Sequence, residues 1–286
     1  MKKYHSVAGV IILTVLWVGG IITYEHIPFV QSMPASNLIY ESDFEHEENW
    51  QMFEEIVGGN ACYGDGIGSV IRSMDVAYEG QQSLLVWANQ DLSEKSNHVI
   101  GFKNIAAQGL NGVIRYQVHT YIASDTLLFG QTGPEFSMQN TRGFGSTTTT
   151  AIAGVQYIAN PYWKTGYWNI WNEGDWTTFI TTTQPLEAGT WYTLTLEANF
   201  TNNQYLSFSI QGGEINSLFD ISTYHIAEED RGFAEAFVIT LESENLWNNC
   251  GTAGNFNYKV YYDRIAVSQI LEFTYLPFLT NNSFSP

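Results

Sequence analysis

The segment from Arg115 to Ile122 (RYQVHTYI) carries the side chains best suited to chemistry in this sequence. If the segment is a β-strand, its side chains alternate between two faces. Val118 and Ile122 then share one face, and four long hydrogen-bonding side chains share the other: Arg115, Gln117, His119 and Tyr121. This row favours the floor of a polar groove, with a solvated outer face as the alternative.

Two further predicted strands, Glu135–Thr141 and Ile152–Asn160, extend the same groove. Their alternation directs Gln139 and Gln156 to its polar face, and amide side chains suit sugar hydroxyls because they donate and accept hydrogen bonds together. Six aromatic residues lie between positions 162 and 176. Of these, Trp163 and Trp171 are predicted to be exposed and to stack on pyranose rings, with core packing as the alternative.

Catalytic motifs are scarce. Glycoside hydrolysis needs two carboxylates, and Glu242 and Glu244 would lie on one face of a strand, about 7 Å apart. Exposed acidic residues with no catalytic role are the alternative reading. The sequence has no Gly-x-Ser-x-Gly, His-Glu-x-x-His, Walker or Cys-x-x-Cys motif. Non-catalytic binding is therefore favoured over a polysaccharide-active enzyme, with a structural surface protein as a third hypothesis.

The elements that must position these residues are strands. About a dozen strand-like segments follow one another with Gly and Asn turn signals between them, and helical periodicity is almost absent. Two of them, Trp191–Phe200 and Gln204–Gln211, alternate so regularly that they predict a hairpin. The pattern predicts an all-β, two-sheet antiparallel sandwich over residues 37–270, followed by a tail over 271–286.

Charge and the N-terminus bear on compartment and partners. The net charge of −18, with only 11 Lys and Arg residues, argues against nucleic acid and anionic membrane surfaces as partners. It is compatible with calcium and with a neutral polysaccharide. Lys2 and Lys3 precede an uncharged run, Val7–Tyr24, of about 18 residues, near the minimum for crossing a bilayer. Residues 1–36 therefore predict an N-terminal hydrophobic helix that is an uncleaved signal-anchor or a cleaved signal peptide, with a buried core helix as the alternative. They also predict an extracellular or cell-surface domain.

The two cysteines are Cys62 and Cys250. In an oxidising compartment they predict one disulfide, which would stabilise the fold by about 4–5 kcal/mol on the chain-entropy model. Two buried free thiols are the alternative.

Three short motifs resemble a known family. They are Asp43-Phe44-Glu45 near the start, Gly80-Gln81-Gln82-Ser83-Leu84-Leu85-Val86 after it, and Tyr261-Tyr262-Asp263-Arg264-Ile265 near the end. This layout resembles the jelly-roll carbohydrate-binding modules and, more broadly, concanavalin A-like sandwiches. The resemblance implies that the first and last strands pair and share a structural calcium ion, with carboxylates from Asp43, Glu45 and Asp263.

A second resemblance concerns an enzyme class. Gln117-Val118-His119 resembles the Gln-x-His strand of alginate-lyase-like polysaccharide lyases, and Ala153-Gly154-Val155-Gln156-Tyr157 resembles their Ala-Gly-x-Tyr strand. It implies a lyase with His119 as base and with Gln117, Tyr157 and Arg142 beside it. The arginine-rich strand of those enzymes is missing, and the alternation puts Tyr157 on the Val155 face.

Overall fold

The computed structural model describes residues 36–55, 67–89, 97–123, 131–143, 148–160, 165–182, 185–230, 234–245 and 257–271. These residues form strands and turns and no α-helix. No helix long and apolar enough to cross a membrane occurs within them. Several predicted features lie outside the described residues: the N-terminal hydrophobic helix, the tail beyond 271, Trp163, Cys62 and Cys250.

The first sheet has eight antiparallel strands. They are β1 (Ser36–Ser42), β3 (Ile67–Ser73), β4 (Ser83–Asn89), β6 (Val113–Ile122), β11 (Trp191–Asn199), β12 (Gln204–Gly212), β13 (Ile215–Asp220) and β16 (Asn257–Ile270). Seven of them are ordered β13-β12-β11-β6-β16-β4-β3, and β1 pairs with β16 beside this path.

The second sheet also has eight antiparallel strands. They are β2 (Gln51–Glu55), β5 (Asn97–Ala106), β7 (Gln131–Arg142), β8 (Thr149–Asn160), β9 (Thr165–Asn172), β10 (Asp175–Thr182), β14 (Ala227–Asp230) and β15 (Ala236–Asn245). Seven are ordered β10-β9-β8-β7-β15-β5-β2, and β14 pairs with β8. The predicted all-β, two-sheet antiparallel jelly-roll sandwich is confirmed.

Aromatic pairs join the two sheets across the core. Tyr116 on β6 meets Phe136 on β7 edge to face, with ring centroids 5.1 Å apart, and Trp168 on β9 lies 4.8 Å from Phe208 on β12. Such pairs stabilise by about 0.5–1.5 kcal/mol beyond the burial of their area. Since these side chains point inward, the alternate residues of each strand point away from the core.

The predicted hairpin is confirmed as β11 and β12, which pair with Thr195 opposite Ser209. Buried and half-buried positions alternate along β11. The turn between the strands places Asn203 at φ 52°, in the left-handed region that asparagine tolerates better than most residues. The same alternation holds along β6, where every second residue from Ile114 to Ile122 is buried.

Candidate functional site

Five polar side chains lie side by side on the face of the second sheet that is turned away from the core. Their strands are neighbours, and the register pairs each residue with the next across β10, β9, β8, β7 and β15. All but the exposed Thr178 are only 5–7 % exposed. We call them the polar row: Thr178, Asn169, Gln156, Glu135 and Glu242.

Hydrogen bonds run along the polar row in one direction. Thr178 Oγ1 donates to Asn169 Oδ1 at 2.7 Å, and Asn169 Nδ2 donates to Gln156 Oε1 at 3.0 Å. Gln156 Nε2 then donates to Glu135 Oε2 at 2.9 Å. Three donors on three strands therefore point towards one carboxyl group.

Glu135 faces Glu242 directly across the β7–β15 pair. Glu242 accepts hydrogen bonds from two sides, one from His98 Nε2 on β5 at 2.8 Å and one from the Thr240 hydroxyl on its own strand. Glu244, two residues further along β15, lies opposite His98 and is also 5 % exposed. This end of the polar row thus gathers three buried carboxyl groups around one imidazole.

The two facing carboxyl groups hold their protons unequally. Burial, and then the negative charge of Glu242, raise the pKa of Glu135 well above the usual value. Burial alone would also raise the pKa of Glu242, but hydrogen bonds from His98 and Thr240 outweigh it, so that pKa is lowered. The pair therefore favours a protonated Glu135 beside an ionised Glu242, the division of roles that acid–base sites use.

A tyrosine of the first sheet fixes the backbone under this pair. The Tyr262 hydroxyl on β16 donates to the Glu242 carbonyl oxygen at 2.6 Å and accepts the Glu135 N–H at 3.2 Å. Because one buried phenol contacts both strands, it holds the two carboxyl groups in register.

Two tryptophans border the polar row. Trp171 on β9 and Trp176 on β10 are register partners whose rings meet at 5.2 Å and 72°. Trp171 Nε1 donates to Glu229 Oε1 at 3.2 Å, which orients its ring. A Cβ added to Gly154 would lie 3.7 Å from Trp176 Cη2, an ordinary van der Waals distance, so the Trp176 ring extends over β8.

A cavity of about 500 Å³ opens near the other edge of the sheet. Its wall includes Phe102 and Val238, and Phe102 is the register partner of Thr240. Thr240 also donates to Glu242, so Thr240 lies between the cavity wall at Phe102 and the carboxyl groups. The rest of the lining is polar: Asn49, Gln51, Lys103 and Asn104.

The carboxyl cluster also offers ligand atoms for a cation. One such atom from each of His98, Glu135 and Glu242 lies within 4.8 Å of the other two, and within the described ranges this is the one group of its kind. An imidazole with two carboxylates is a donor set that zinc and similar ions accept. The hydrogen bond between His98 Nε2 and Glu242 Oε2 uses atoms of this kind, so a cation bound through those two atoms would replace that hydrogen bond.

The predicted groove residues of β6 lie on the first sheet and have partners there. Arg115 Nη2 lies 2.6 Å from Glu197 Oε1, and Glu197 Oε2 accepts the Ser207 hydroxyl at 2.8 Å. The His119 ring lies 3.9 Å from that of Tyr78, which is 47 % exposed. Burial is the main reason why the pKa of His119 is lowered.

The structure does not join these residues to the predicted amides. Gln139 and Gln156 are on β7 and β8 of the second sheet, whereas Arg115, Gln117, His119 and Tyr121 are on β6 of the first. The outer faces of the two sheets point in opposite directions, so the prediction of one shared groove is wrong. Of the predicted residues, the structure places Gln139, Gln156 and Trp171 on the second sheet with the polar row.

The residues suggested by the lyase resemblance are also separated. Tyr157 is buried in the core, where its hydroxyl accepts the Leu186 N–H at 2.9 Å. Arg142 donates to the carbonyl oxygens of Leu110 and Phe200. Neither side chain lies on the outer face that carries His119, so the structure does not assemble this set.

The acidic pair predicted for hydrolysis is replaced by a different one. Glu242 and Glu244 do share a face, but the carboxyl group that faces Glu242 belongs to Glu135. Glu135 begins the predicted strand Glu135–Thr141, and the alternation that directs Gln139 outward places Glu135 on the same face without assigning it a role. Its distance along the chain from Glu242 hides the pairing, and no local pattern marks His98 as the third member.

The three residues predicted to bind calcium lie near the pairing of β1 with β16. Asp263 is fully buried and accepts main-chain N–H groups with both carboxylate oxygens, and Glu45 does so with one oxygen. Asp43 accepts the Glu45 N–H at 3.1 Å. The donors to Asp263 and Glu45 are the N–H groups of Tyr78, Glu79, Arg264, Gln81 and Gln82. Main-chain donors thus occupy several of these oxygens, and calcium stays a prediction.

Comparisons with known proteins give weak similarities in fold. No family model and no curated protein matches the chain. Among solved structures, it is similar to a carbohydrate esterase from the Shiga toxin-encoding bacteriophage phi24B, with 14% identity, a TM-score of 0.47 and coverage of 83% of this chain and 100% of that one. It is also similar to the alginate lyase Aly36B, with 12% identity, a TM-score of 0.43 and coverage of 68% of this chain and 84% of that one. The cellulose induced protein Cip1 is similar with 13% identity, a TM-score of 0.44 and coverage of 80% of this chain and 96% of that one. At these values the function must be argued from the chain's own residues.

Proposed function

We propose that this protein binds carbohydrate across the outer face of the second sheet, at the polar row and its two tryptophans. The observation that carries the proposal is the juxtaposition of buried amides and carboxyl groups with the Trp171–Trp176 pair on one face. Amide and carboxyl groups hydrogen-bond sugar hydroxyls, and aromatic rings cover the apolar faces of pyranose rings.

The dimensions of the polar row favour an oligosaccharide over a single sugar. From Thr178 to Glu242 the row crosses four inter-strand steps of about 4.8 Å, or about 19 Å. The cavity beside Phe102 adds further space at the Glu242 end. Several consecutive sugar rings can therefore contact the face together.

Charge favours a glycan without carboxylate groups. The polar row and its neighbours bring together Glu135, Glu242 and Glu244 with His98. A uronate carboxylate placed beside them would be repelled, since like charges in a buried site are costly. A neutral or amino-bearing glycan avoids this repulsion.

Binding is tested with a glycan array followed by calorimetry on the glycans that bind. Trp176→Ala and Gln156→Ala should each weaken binding about tenfold or more, because both remove direct contacts. Tyr78→Ala is the matched control, since it removes an exposed aromatic side chain that lies between β3 and β4 and packs on the outer face of the first sheet. Loss of binding in the control alone, or no binding to any glycan, would contradict the proposal.

The first-sheet surface is a second candidate for recognition. Tyr78 and Trp191 lie edge to face at 5.7 Å, and Tyr121 lies 5.3 Å from Trp191. His119 and the Arg115–Glu197 pair add polar groups beside these rings. The variants His119→Ala and Tyr121→Ala, measured on the same glycans, distinguish this surface from the polar row.

Hydrolysis by the Glu135–Glu242 pair is a second candidate function, favoured by the closeness of the two groups. Their nearest ligand atoms lie within 4.8 Å, closer to the roughly 5–5.5 Å of retaining glycosidases than to the 6.5–9.5 Å of inverting ones. The ionised Glu242 would bond to the anomeric carbon as the glycosidic C–O bond breaks, while Glu135 protonates the leaving oxygen. Water would then attack that carbon, lose a proton to Glu135 and release Glu242 as a carboxylate.

Measurement of new reducing ends tests this reaction. Glu242→Gln and Glu135→Gln should each lower the rate by about 10²–10⁴ while binding persists. Full turnover in either variant would contradict the assignment of roles.

The remaining parts of the proposal concern location and calcium. We place the domain outside the cell, anchored through the N-terminal hydrophobic segment, because an uncharged run follows two lysines there.

A structural calcium ion at Asp43, Glu45 and Asp263 is tested by chelation. A melting temperature that is unchanged in EDTA would end that part of the proposal.

A further inference from the structure

The cavity at Phe102 lies on the same outer face as the polar row, near the β5–β2 edge of the second sheet. We propose that this cavity is a further sugar subsite, which takes an uncharged pyranose unit of the same glycan chain. The carboxyl groups of Glu135 and Glu242 then contact the interior of the chain and not one of its ends. The choice of a sugar as the occupant rests on the proposed function, whereas the position and the charge of the cavity do not.

Phe102 and the two tryptophans belong to one line of register partners across the second sheet. The line runs beside the polar row, two residues away on each shared strand, and continues to β5. Five inter-strand steps of about 4.8 Å separate its ends, or about 24 Å. We call this line the aromatic-ended row: Trp176, Trp171, Gly154, Ser137, Thr240 and Phe102.

The aromatic-ended row is low in the middle. Gly154 has no side chain, and the small Ser137 and Thr240 side chains meet each other with their hydroxyl oxygens 2.7 Å apart. The tryptophan pair borders this stretch on one side, and Phe102 borders it on the other. Since the facing carboxyl groups belong to the same two strands, β7 and β15, they lie between the two aromatic ends.

The lining of the cavity is neutral and rich in amides. Asn49, Gln51 and Asn104 form its polar part, and all three residues are exposed. Among the described residues that line it, Lys103 is the one with a charged side chain, and Lys103 Nζ lies 3.2 Å from Glu48 Oε2. The charge of Lys103 is therefore paired, and no carboxyl group of the described residues lines this end of the face.

These properties select an uncharged pyranose. Amides donate and accept hydrogen bonds together, as sugar hydroxyls require, and the Phe102 ring offers an aromatic face for the apolar side of a sugar. The volume of about 500 Å³ falls within the roughly 300–1,000 Å³ of small-molecule sites. A long chain reaches both aromatic ends of the row, whereas a disaccharide reaches only one.

The test compares disaccharides with octasaccharides of cellulose, β-1,3-glucan and mannan, with affinities measured by isothermal titration calorimetry. In the wild type, the octasaccharide of at least one of these glycans should bind about tenfold tighter than its disaccharide, because it contacts both aromatic ends. Phe102→Ala should lower the octasaccharide affinity about tenfold and remove most of this advantage of length.

Two further variants keep the test independent of any folding defect in Phe102→Ala. Gln51→Ala changes an exposed residue of the same cavity and should lower the octasaccharide affinity about threefold. Leu218→Ala is the control, since it removes a side chain that is 75% exposed on β13 of the first sheet, and it should leave the affinity unchanged.

Trp176→Ala separates the subsite from the proposed function. If it weakens octasaccharide binding while Phe102→Ala and Gln51→Ala do not, the subsite is overturned and the proposed function stands. If Phe102→Ala weakens binding while Trp176→Ala does not, the subsite holds and binding at the tryptophans is refuted. No binding of any octasaccharide to the wild type would overturn the subsite, because the cavity is assigned to uncharged sugars, and would leave amino-bearing glycans for the polar row.

Discussion

Replacing His98 by alanine tests whether the carboxyl cluster is held together by its one imidazole. The His98 and Glu242 side chains are 11% and 7% exposed, and His98 Nε2 lies 2.8 Å from Glu242 Oε2. Removal of His98 leaves the buried Glu242 carboxylate without one of its two donors, and breaking a buried pair in this way costs about 3–5 kcal/mol. His98→Ala should therefore lower the free energy of unfolding by about that amount at pH 7.

The chain offers a control at the same distance but with different burial. Arg264 Nη2 lies 2.8 Å from Glu79 Oε2, with side-chain exposures of 41% and 62%. Because exposed ion pairs contribute about 0–1 kcal/mol, Glu79→Gln should change stability by less than about 1 kcal/mol. In the double variant His98→Ala/Glu242→Gln, most of the loss should be recovered, since the buried charge is gone.

The pH dependence of the His98→Ala loss gives a further check. The pKa of Glu242 is lowered from its usual 4.5, so its interactions stabilise the fold above that value and are lost as the pH falls through the folded-state pKa. The loss in His98→Ala should be largest at neutral pH and shrink below 4.5. Urea denaturation at pH 4 and pH 7 measures both values. A loss below 1 kcal/mol at pH 7, or one that is independent of pH, would show that His98 does not stabilise the ionised Glu242.

Three other perturbations follow from the packing and charges. Glu135→Gln copies the protonated carboxyl group. Because the pKa of Glu135 is raised, the wild type loses stability as the pH rises above 4.5. In urea denaturation the variant should therefore gain stability relative to the wild type between pH 5 and pH 8. An equally steep pH dependence in both would contradict this. In Gly80→Ala (φ +78°) the new Cβ would lie 2.2 Å from Glu45 Oε1 and would displace that oxygen from the Gln81 and Gln82 N–H groups. Thermal unfolding should therefore show a larger loss than in Gly174→Ala (φ +88°), where nothing lies within 4 Å. Equal losses would show that the hydrogen bonds of Glu45 do not contribute to stability. Trp168→Ala should cost about 3–5 kcal/mol in chemical denaturation, because Trp168 is fully buried between the sheets, and a cost below 1 kcal/mol would argue against the core described.

Local patterns in the sequence predicted the strands but not their neighbours. The alternation along β6 correctly placed Arg115 and His119 on the outer side, since the two-residue period is a property of the strand itself. The same reasoning directed Gln139 outward, but it could not assign β6 and β7 to different sheets. Sheet membership depends on which distant strands pair, and no local period encodes that choice.

The carboxyl pair was hidden for the same reason. Glu135 and Glu242 face each other only because β7 and β15 are neighbours in the second sheet. In the sequence, each is one of 29 acidic residues, and Glu244 seemed the more natural partner because it is two residues away. Burial distinguishes the pair from the other acids, and burial follows from the tertiary fold.

The most direct test of carbohydrate binding at the second sheet is an NMR titration of the protein with an oligosaccharide that binds in the glycan array. The titration follows the tryptophan indole N–H signals. Trp171 and Trp176 border the polar row on the second sheet, whereas Trp191 lies among the aromatic side chains of the first sheet. We expect saturable shifts of the Trp171 and Trp176 signals and no shift of the Trp191 signal. Shifts confined to Trp191 would contradict it, and so would an oligosaccharide that binds without moving either second-sheet signal.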